Sequence, residues 1–375
     1  MPLIERIVDF HADMKAWRHD IHTHPELAFQ EHRTSDLVAK ALERFGIEVH
    51  RGLAGTGVVG TLRSGRGRGA IGLRADMDAL PIRGIMHACG HDGHTAMLLG
   101  AARYLAETRQ FDGVVHFIFQ PAEENECGGQ KMVEDGLFEQ FPVEAVYGMH
   151  NWPGLAVGSF GVCVGPIMAA DDKFEIAISG CGAHAAMPHL GDDPIVAAAA
   201  CIGAIQTIVS RTIDPQDGAV VSVTQMQGGN TWNIVPEQVV LRGTCRYLRP
   251  ELRAVLRDAI RRVLEGVVAT YGVKSQISYY KPIPPAVNAD GPTEWATRAA
   301  ATVVGDAHVQ RDVVPSMGCE DFAFMLAARP GCYLWIGNGP IVDGVGLHSS
   351  RYAFNDDILP IGASYWATLV EGILV

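Results

Sequence analysis

HACGHDGHTAMLLGAARYLAETRQFDGVVHFIFQPAEE, from His87 to Glu124, holds a ligand-dense turn, a helix, a strand and a carboxylate pair in one run. Asp92 is placed to cap a helix from about His94 to Glu107, whose Ala, Leu and Met content favours that state. Val114–Phe119 is an apolar run of strand length, stopped at Pro121. Upstream, Val58–Leu62 and Ile71–Ala75 read as further short strands, and Thr34–Phe45 as a helix closed by Gly46. Apolar positions at Ile4, Ile7, Val8, Met14 and Trp17 suit an amphipathic helix over 4–22, interrupted by His24-Pro25. Downstream, Glu144–Gly148 is another strand. Strands alternating with helices predict an α/β sheet with helices on both faces.

Near residue 170 the pattern changes. Lys173–Ser179 is a strand, Pro194–Ser210 an Ala-rich helix that reads as buried, and Ala219–Met226 and Gln238–Tyr247 two more strands. Pro250–Tyr271 is a long amphipathic helix and Val273–Tyr280 a last strand. This β-α-β-β-α-β order is that of a ferredoxin-like unit. Pro282-Ile283-Pro284-Pro285 reads as a linker, followed by a helix at Pro292–Val304, a helix around Glu320–Ala328 and a strand at Tyr333–Gly337. The expectation is a small α+β domain, 171–285, inserted into a larger α/β domain built from 1–170 and 286–375.

Composition narrows the function classes. With 375 residues, 48% apolar and 19% charged, the chain has enough apolar material for two cores and is not a disordered chain. A formal charge of −12 and the lack of a dense Lys/Arg run argue against nucleic acid or an anionic membrane as partner. Eight cysteines without a CxxC pair suggest reduced thiols. Met1–Phe10 carries Glu5, Arg6 and Asp9 and lacks the apolar core of a signal peptide. Ile195–Val209 is too short to span a bilayer. A soluble cytoplasmic protein is expected.

The chemistry lies in residues at the ends of these strands. Cys89 and His91, two apart beside a glycine, can face one point, and His87 has the same parity and competes with them. A thiolate with imidazoles suits a borderline-soft divalent metal. Glu123 and Glu124 follow a strand, so one can bind metal while the other takes a proton from water. His150 ends the next strand, and His348 follows a Gly-rich loop. Asp76 and Asp78 end another strand, where they either orient ligating imidazoles or pair with Arg74. In the inserted unit, His184, Asn233 and Arg246 together suit a substrate carboxylate and a developing oxyanion. Histidines 11, 19, 22, 24, 32, 50, 116 and 308 read as surface or packing residues. A thiol hydrolase using Cys89 and a non-catalytic binding protein are the competing readings.

Ordered matches along nearly the whole chain carry a resemblance. They are His24-Pro25-Glu26-Leu27, Arg74 to Pro81, His87 to His94, Gln120 to Glu124 and His150-Asn151-Trp152-Pro153. They continue at His184 to His189, Asn233 to Pro236, Ser316 to Phe322 and Phe354-Asn355-Asp356. In these the chain resembles the amidohydrolase branch of the M20 metallopeptidase clan. The resemblance implies an α/β/α zinc-peptidase-like catalytic domain and an inserted ferredoxin-like lid that commonly dimerises. It implies a binuclear centre of two divalent ions per subunit, Zn2+ or Mn2+, with Co2+ or Ni2+ compatible. Cys89, His91, Glu124, His150 and His348 would be the ligands and Glu123 the general base. His184, Asn233 and Arg246 would meet the substrate from the lid. The activity implied is hydrolysis of N-acyl amino acids by a homodimer or higher homo-oligomer, with a dipeptidase or aminopeptidase as the nearest rival. The chain departs from the family between Ile82 and His87, where relatives carry a longer loop, and at Asn125-Glu126-Cys127, Cys181 and Ala353.

Overall fold

The computed structural model describes residues 3–375, apart from the side chain of Asn125. The chain forms two compact units. One is built from the chain up to Ile167, Ala286–Val314 and Glu320–Val375; the other from Met168–Pro285 and Pro315–Cys319.

The first unit opens with α1 (Glu5–Asp9), α2 (His11–Thr23) and α3 (His32–Arg44), followed by β1 (Glu48–Leu53), β2 (Gly57–Ser64) and β3 (Ala70–Asp76). Then come α4 (His91–Thr108), β4 (Gly113–Gln120), α5 (Glu123–Glu126) and β5 (Ala145–Pro153). The sheet runs β1-β2-β4-β3-β5 and continues through Gly331–Gly339, Phe160–Gly161 and Val309–Gln310. β4, β3, β5 and Gly331–Gly339 are mutually parallel, while β1 and β2 add antiparallel at one edge. A parallel centre must be covered on both faces, and β4 is buried at every position. α4 lies between α2 and the helix Leu359–Ile373, with Met97, Leu98, Leu99 and Ala101 fully buried. The parallel strands deliver Asp76, Gln120 and His150 to the carboxyl edge, where ligands bind in such sheets.

Asp92 does not cap α4. The helix begins at His91, after Gly90 in the left-handed region at φ 94°, and Asp92 turns inward to the Arg18 guanidinium at 3.0 Å and the His22 ring at 2.9 Å. The polar residue beside the helix start is therefore a buried ion-pair partner.

The second unit is a four-stranded antiparallel sheet in the order Ala219–Gly228, Gln238–Tyr247, Ala170–Ser179, Lys274–Ile283. Its helices are Pro194–Arg211 and Leu252–Tyr271. This is the ferredoxin-like order expected. Pro282 lies in the last strand and not in a linker; that strand is at the sheet edge, where a missing N–H is tolerated. Pro194–Arg211 is the one helix, among the described residues, long and apolar enough by length and composition to cross a membrane. It is buried on one face only: Ala197, Ala198, Cys201, Ile205 and Ile208 join the core while Ile195 and Val196 are exposed. Pro315–Cys319 belongs here because the Ala169 N–H donates to the Ser316 and Gly318 carbonyls.

Candidate metal centre

Gly90 sets the geometry of the first two donors. A Cβ at this position would lie 2.3 Å from Asn151 Nδ2 and 2.7 Å from the Tyr352 hydroxyl. The bare backbone lets Asn151 Nδ2 donate to the Cys89 carbonyl at 2.6 Å. Cys89 thus lies in the loop before α4 while His91 opens the helix, and their side chains converge with those of three distant residues.

The donors fall into two triads that share one sulfur. Cys89, His91 and His150 form the first, all buried; Cys89, Glu124 and His348 form the second; within each, the donor atoms lie within 4.8 Å of one another. Cys89 Sγ is 3.4 Å from His150 Nε2 and 3.4 Å from His348 Nε2. Glu124 Oε1 stands 3.3 Å from His348 Nε2 and 3.8 Å from His91 Nε2. His91 Nε2 and Glu124 Oε1 are buried without a hydrogen-bond partner. Orphaned buried polar atoms are rare, and here they point into one space between soft and borderline donors. The residues therefore fit a pair of divalent ions.

Each ring is oriented by what holds its other nitrogen. His91 Nδ1–H donates to Asp78 Oδ1 at 3.0 Å, and Asp78 Oδ2 accepts the Glu124 N–H at 3.0 Å. His150 Nδ1–H donates to the Asn151 carbonyl at 2.6 Å. The two aspartates at and just past the end of β3 divide the two roles open to them. Asp78 orients an imidazole of the first triad, whereas Asp76 pairs with Arg74 Nη1 at 2.8 Å and accepts from His94 Nδ1–H at 2.6 Å. His94 Nε2 in turn accepts the Asn151 N–H at 3.0 Å, which braces the segment after His150.

Glu123 belongs to neither triad sharing Cys89, though its carboxylate reaches within the same span of His91 and Glu124. Its Oε1 accepts the Asp321 N–H at 3.3 Å. Burial first, then the charges of Glu320 and Glu124, push its carboxyl well above the usual range. Burial would lower the His91 pKa, but Asp76 and the hydrogen bond to Asp78 lift it to about 10. Burial and then Glu124 push the Cys89 thiol up. Arg74 balances the far side of this acidic cluster: its fully buried guanidinium meets Gln120 at 2.8 Å, Glu320 at 2.9 Å and Asp321 at 3.1 Å.

His87, which spacing left in competition, joins no donor group among the described residues. Its ring nitrogens are buried without partners, and it stacks on His22 at 6.3 Å. His22, read as a surface or packing residue, is one of two partners of Asp92, and nothing in the sequence marks it. In the second unit, His184 and Asn233 come together: His184 pairs with Ile234 in a short ribbon, and the Ala185 N–H donates to the Asn233 carbonyl at 3.0 Å. His184 is exposed and its Nδ1 accepts the Ala186 N–H. Arg246 lies on the strand Gln238–Tyr247, ion-paired with Asp171.

A model of peptidase family M20/M25/M40 matches residues 72–372. The chain belongs to this family. It is 39% identical to a hippurate hydrolase of Campylobacter jejuni over 98% of both chains. It is 38% identical to an N-acetylcysteine deacetylase of Bacillus subtilis, over 97% of this chain and 98% of the relative. Among solved structures, a dinuclear metal-binding M20 peptidase of Bacillus subtilis superposes with a TM-score of 0.84 at 34% identity, covering 98% of this chain and 99% of that one.

Proposed function

We propose that the protein is a metal-dependent amidohydrolase that cleaves N-acyl amino acids to a carboxylic acid and a free amino acid. The observation carrying this reading is the pair of donor triads joined through Cys89 Sγ, with Glu123 beside them and outside both. The full-length similarity to enzymes named for hydrolysing hippurate and N-acetylcysteine supports the substrate class. Cys89, His91, Glu124, His150 and His348 would hold two divalent ions, zinc or manganese by the mix of S, N and O donors. Bound there, such ions supply Lewis acidity to the acyl carbonyl and make water nucleophilic near neutral pH.

Glu123 takes the proton of the attacking water and returns it to the leaving amine. Burial and the neighbouring carboxylates of Glu320 and Glu124 raise its affinity for a proton. From the second unit, His184 would donate to the developing oxyanion, and Asn233 and Arg246 would bind the amino-acid part. The exposed edge strand Ala219–Gly228, with Met226 uncovered and Trp232 and Ile234 exposed beyond it, supports assembly of two copies through this unit. Eight cysteines without a CxxC pair support a reducing, cytoplasmic setting.

Glu123→Gln tests the reading: metal content should stay at two ions per chain while kcat on N-benzoyl- and N-acetyl-amino acids falls by about 100-fold or more. Full activity in that variant refutes Glu123 as the base. Faster turnover of free-amine dipeptides than of N-acylated amino acids by the wild type would favour a peptidase.

A further inference from the structure

One buried carboxylate outside both triads reaches the turn that carries Glu123 and Glu124. Glu31, fully buried just ahead of α3, accepts three hydrogen bonds and has no acidic or basic side chain bonded to it. Its Oε1 takes the Phe29 N–H at 3.0 Å and the Ala122 N–H at 2.9 Å; its Oε2 takes the Thr56 hydroxyl at 2.6 Å. Both backbone donors belong to non-glycine residues in the left-handed region, Phe29 at φ 60° and Ala122 at φ 57°. Such residues are uncommon and hold that conformation only where their surroundings impose it. Here a single oxygen accepts the N–H of both.

Ala122 is the residue directly before Glu123. The turn after it is fixed at three successive points: Ala122 by Glu31, Glu123 by the Asp321 N–H, and Glu124 by Asp78. The same N-terminal segment also holds the loop after β3, because the Glu26 carbonyl accepts the Ala79 N–H at 2.9 Å, next to Asp78. A buried carboxylate is an expensive way to stabilise a fold. Its use here is to define where two backbone turns stand.

We infer that Glu31 is a positioning residue for the two site glutamates: by clamping Ala122 in its left-handed turn, it sets where Glu123 and Glu124 face the donor cluster. The inference rests on the reading of Glu123 as base and Glu124 as ligand. Because the clamp works through the reach of an acceptor oxygen and not through charge, two near-isosteric changes separate the possibilities. Glu31→Gln keeps an oxygen at the same reach and removes the charge. Glu31→Asp keeps the charge and draws the oxygens back by one methylene. Releasing Ala122 from its strained conformation by Ala122→Gly gives the turn another way to form.

The experiment measures kcat and KM on an N-acyl amino acid and metal content after dialysis against a weak chelator, with circular dichroism as the check on folding. Glu31→Gln should stay within a few-fold of wild type in both readouts. Glu31→Asp should lose about 10- to 100-fold in kcat with a much smaller change in KM. Its metal content should fall below two ions per chain, since Glu124 is the displaced donor. Ala122→Gly in the Glu31→Asp background should recover part of both. Wild-type behaviour of Glu31→Asp, equal impairment of both single variants, or no recovery in the folded double variant each overturns the clamp. A wild-type protein that binds no metal and cleaves no N-acyl amino acid overturns the function on which the clamp rests.

Discussion

Replacing Asp78 with asparagine places an amide where one carboxylate now serves both donor triads. Oδ1 accepts from His91 Nδ1–H and Oδ2 accepts the Glu124 N–H, each at 3.0 Å, in a residue that is fully enclosed. Asparagine has one acceptor oxygen, so one of these donors must face an NH2 group. An unsatisfied buried donor costs about 1–3 kcal/mol. If that cost falls on the arrangement that binds metal, affinity drops by roughly 10- to 100-fold. Loss of an outer-shell carboxylate costs a similar factor in other metal sites. Two outcomes are distinguishable. An amide oxygen turned to His91 frees the Glu124 turn and weakens the triad with His348; turned to Glu124, it releases the His91 ring and weakens the triad with His150. Chelator competition on purified Asp78→Asn, read as two dissociation constants, should show one weakened far more than the other. Wild-type affinity at both sites, in a variant with unchanged circular dichroism, would refute the assignment of Asp78 as the common support.

Further tests concern the sulfur and the protons. Cys89→Ser removes the soft donor common to both triads, so bound metal should fall well below two ions per chain by elemental analysis; unchanged stoichiometry takes Cys89 out of the donor set. Burial, opposed first by the Thr56 hydroxyl, pushes the Glu31 carboxyl from 4.5 to about 7. The folded state thus holds this proton more tightly than the unfolded chain. The stability it contributes is present below pH 4.5 and lost as pH rises through 7, by about 3 kcal/mol. Denaturant titrations of the metal-free protein should show the wild type losing stability relative to Glu31→Gln across this window, and parallel curves would exclude the shift.

The parts of the fold that were legible in the sequence are those where one side chain had one plausible use. β4 followed by Pro121 and two glutamates reads directly, since an apolar run, a breaker and paired charges leave little choice. The start of α4 does not, because an aspartate near a helix start looks the same whether it caps the helix or meets a buried arginine. Leu359–Ile373 carries no readable signal. It is buried nearly all round, so it has no polar face to produce a helical period, and Pro360 and Gly362 break the pattern further. β1 is a mostly exposed edge strand and lacks alternation for the same kind of reason. The site divides likewise. Cys89, His91, Glu123 and Glu124 are marked by local spacing. His150 and His348 lie 61 and 259 residues along the chain from Cys89 and are joined to it only by the fold. Glu31 and Arg74 carry no ligand signature, because what they do depends on which backbone turn and which carboxylates the fold brings to them.

The distribution of charge around the site gives its own argument for where cations belong. Asp76, Asp78, Glu123, Glu124, Glu320 and Asp321 all gather at the carboxyl edge of the sheet, and Arg74 is the guanidinium set among them. Arg74 pairs with Asp76, Glu320 and Asp321 and with none of the donors of the two triads. Burial and nearby carboxylates raise the Cys89 thiol and the Glu123 carboxyl, and burial raises even Asp321, a partner of Arg74, to about 8. The opposing pull of Asp76 and Asp78 raises His91 to about 10. Cys89 and His91 are also members of the two triads, so the protons accumulate at the atoms a divalent ion would claim. Divalent ions bound there would displace those protons, so metal affinity would rise with pH. Burial first, then Glu320 and Glu124, likewise raise the carboxyl of Glu123, the group proposed above as the base.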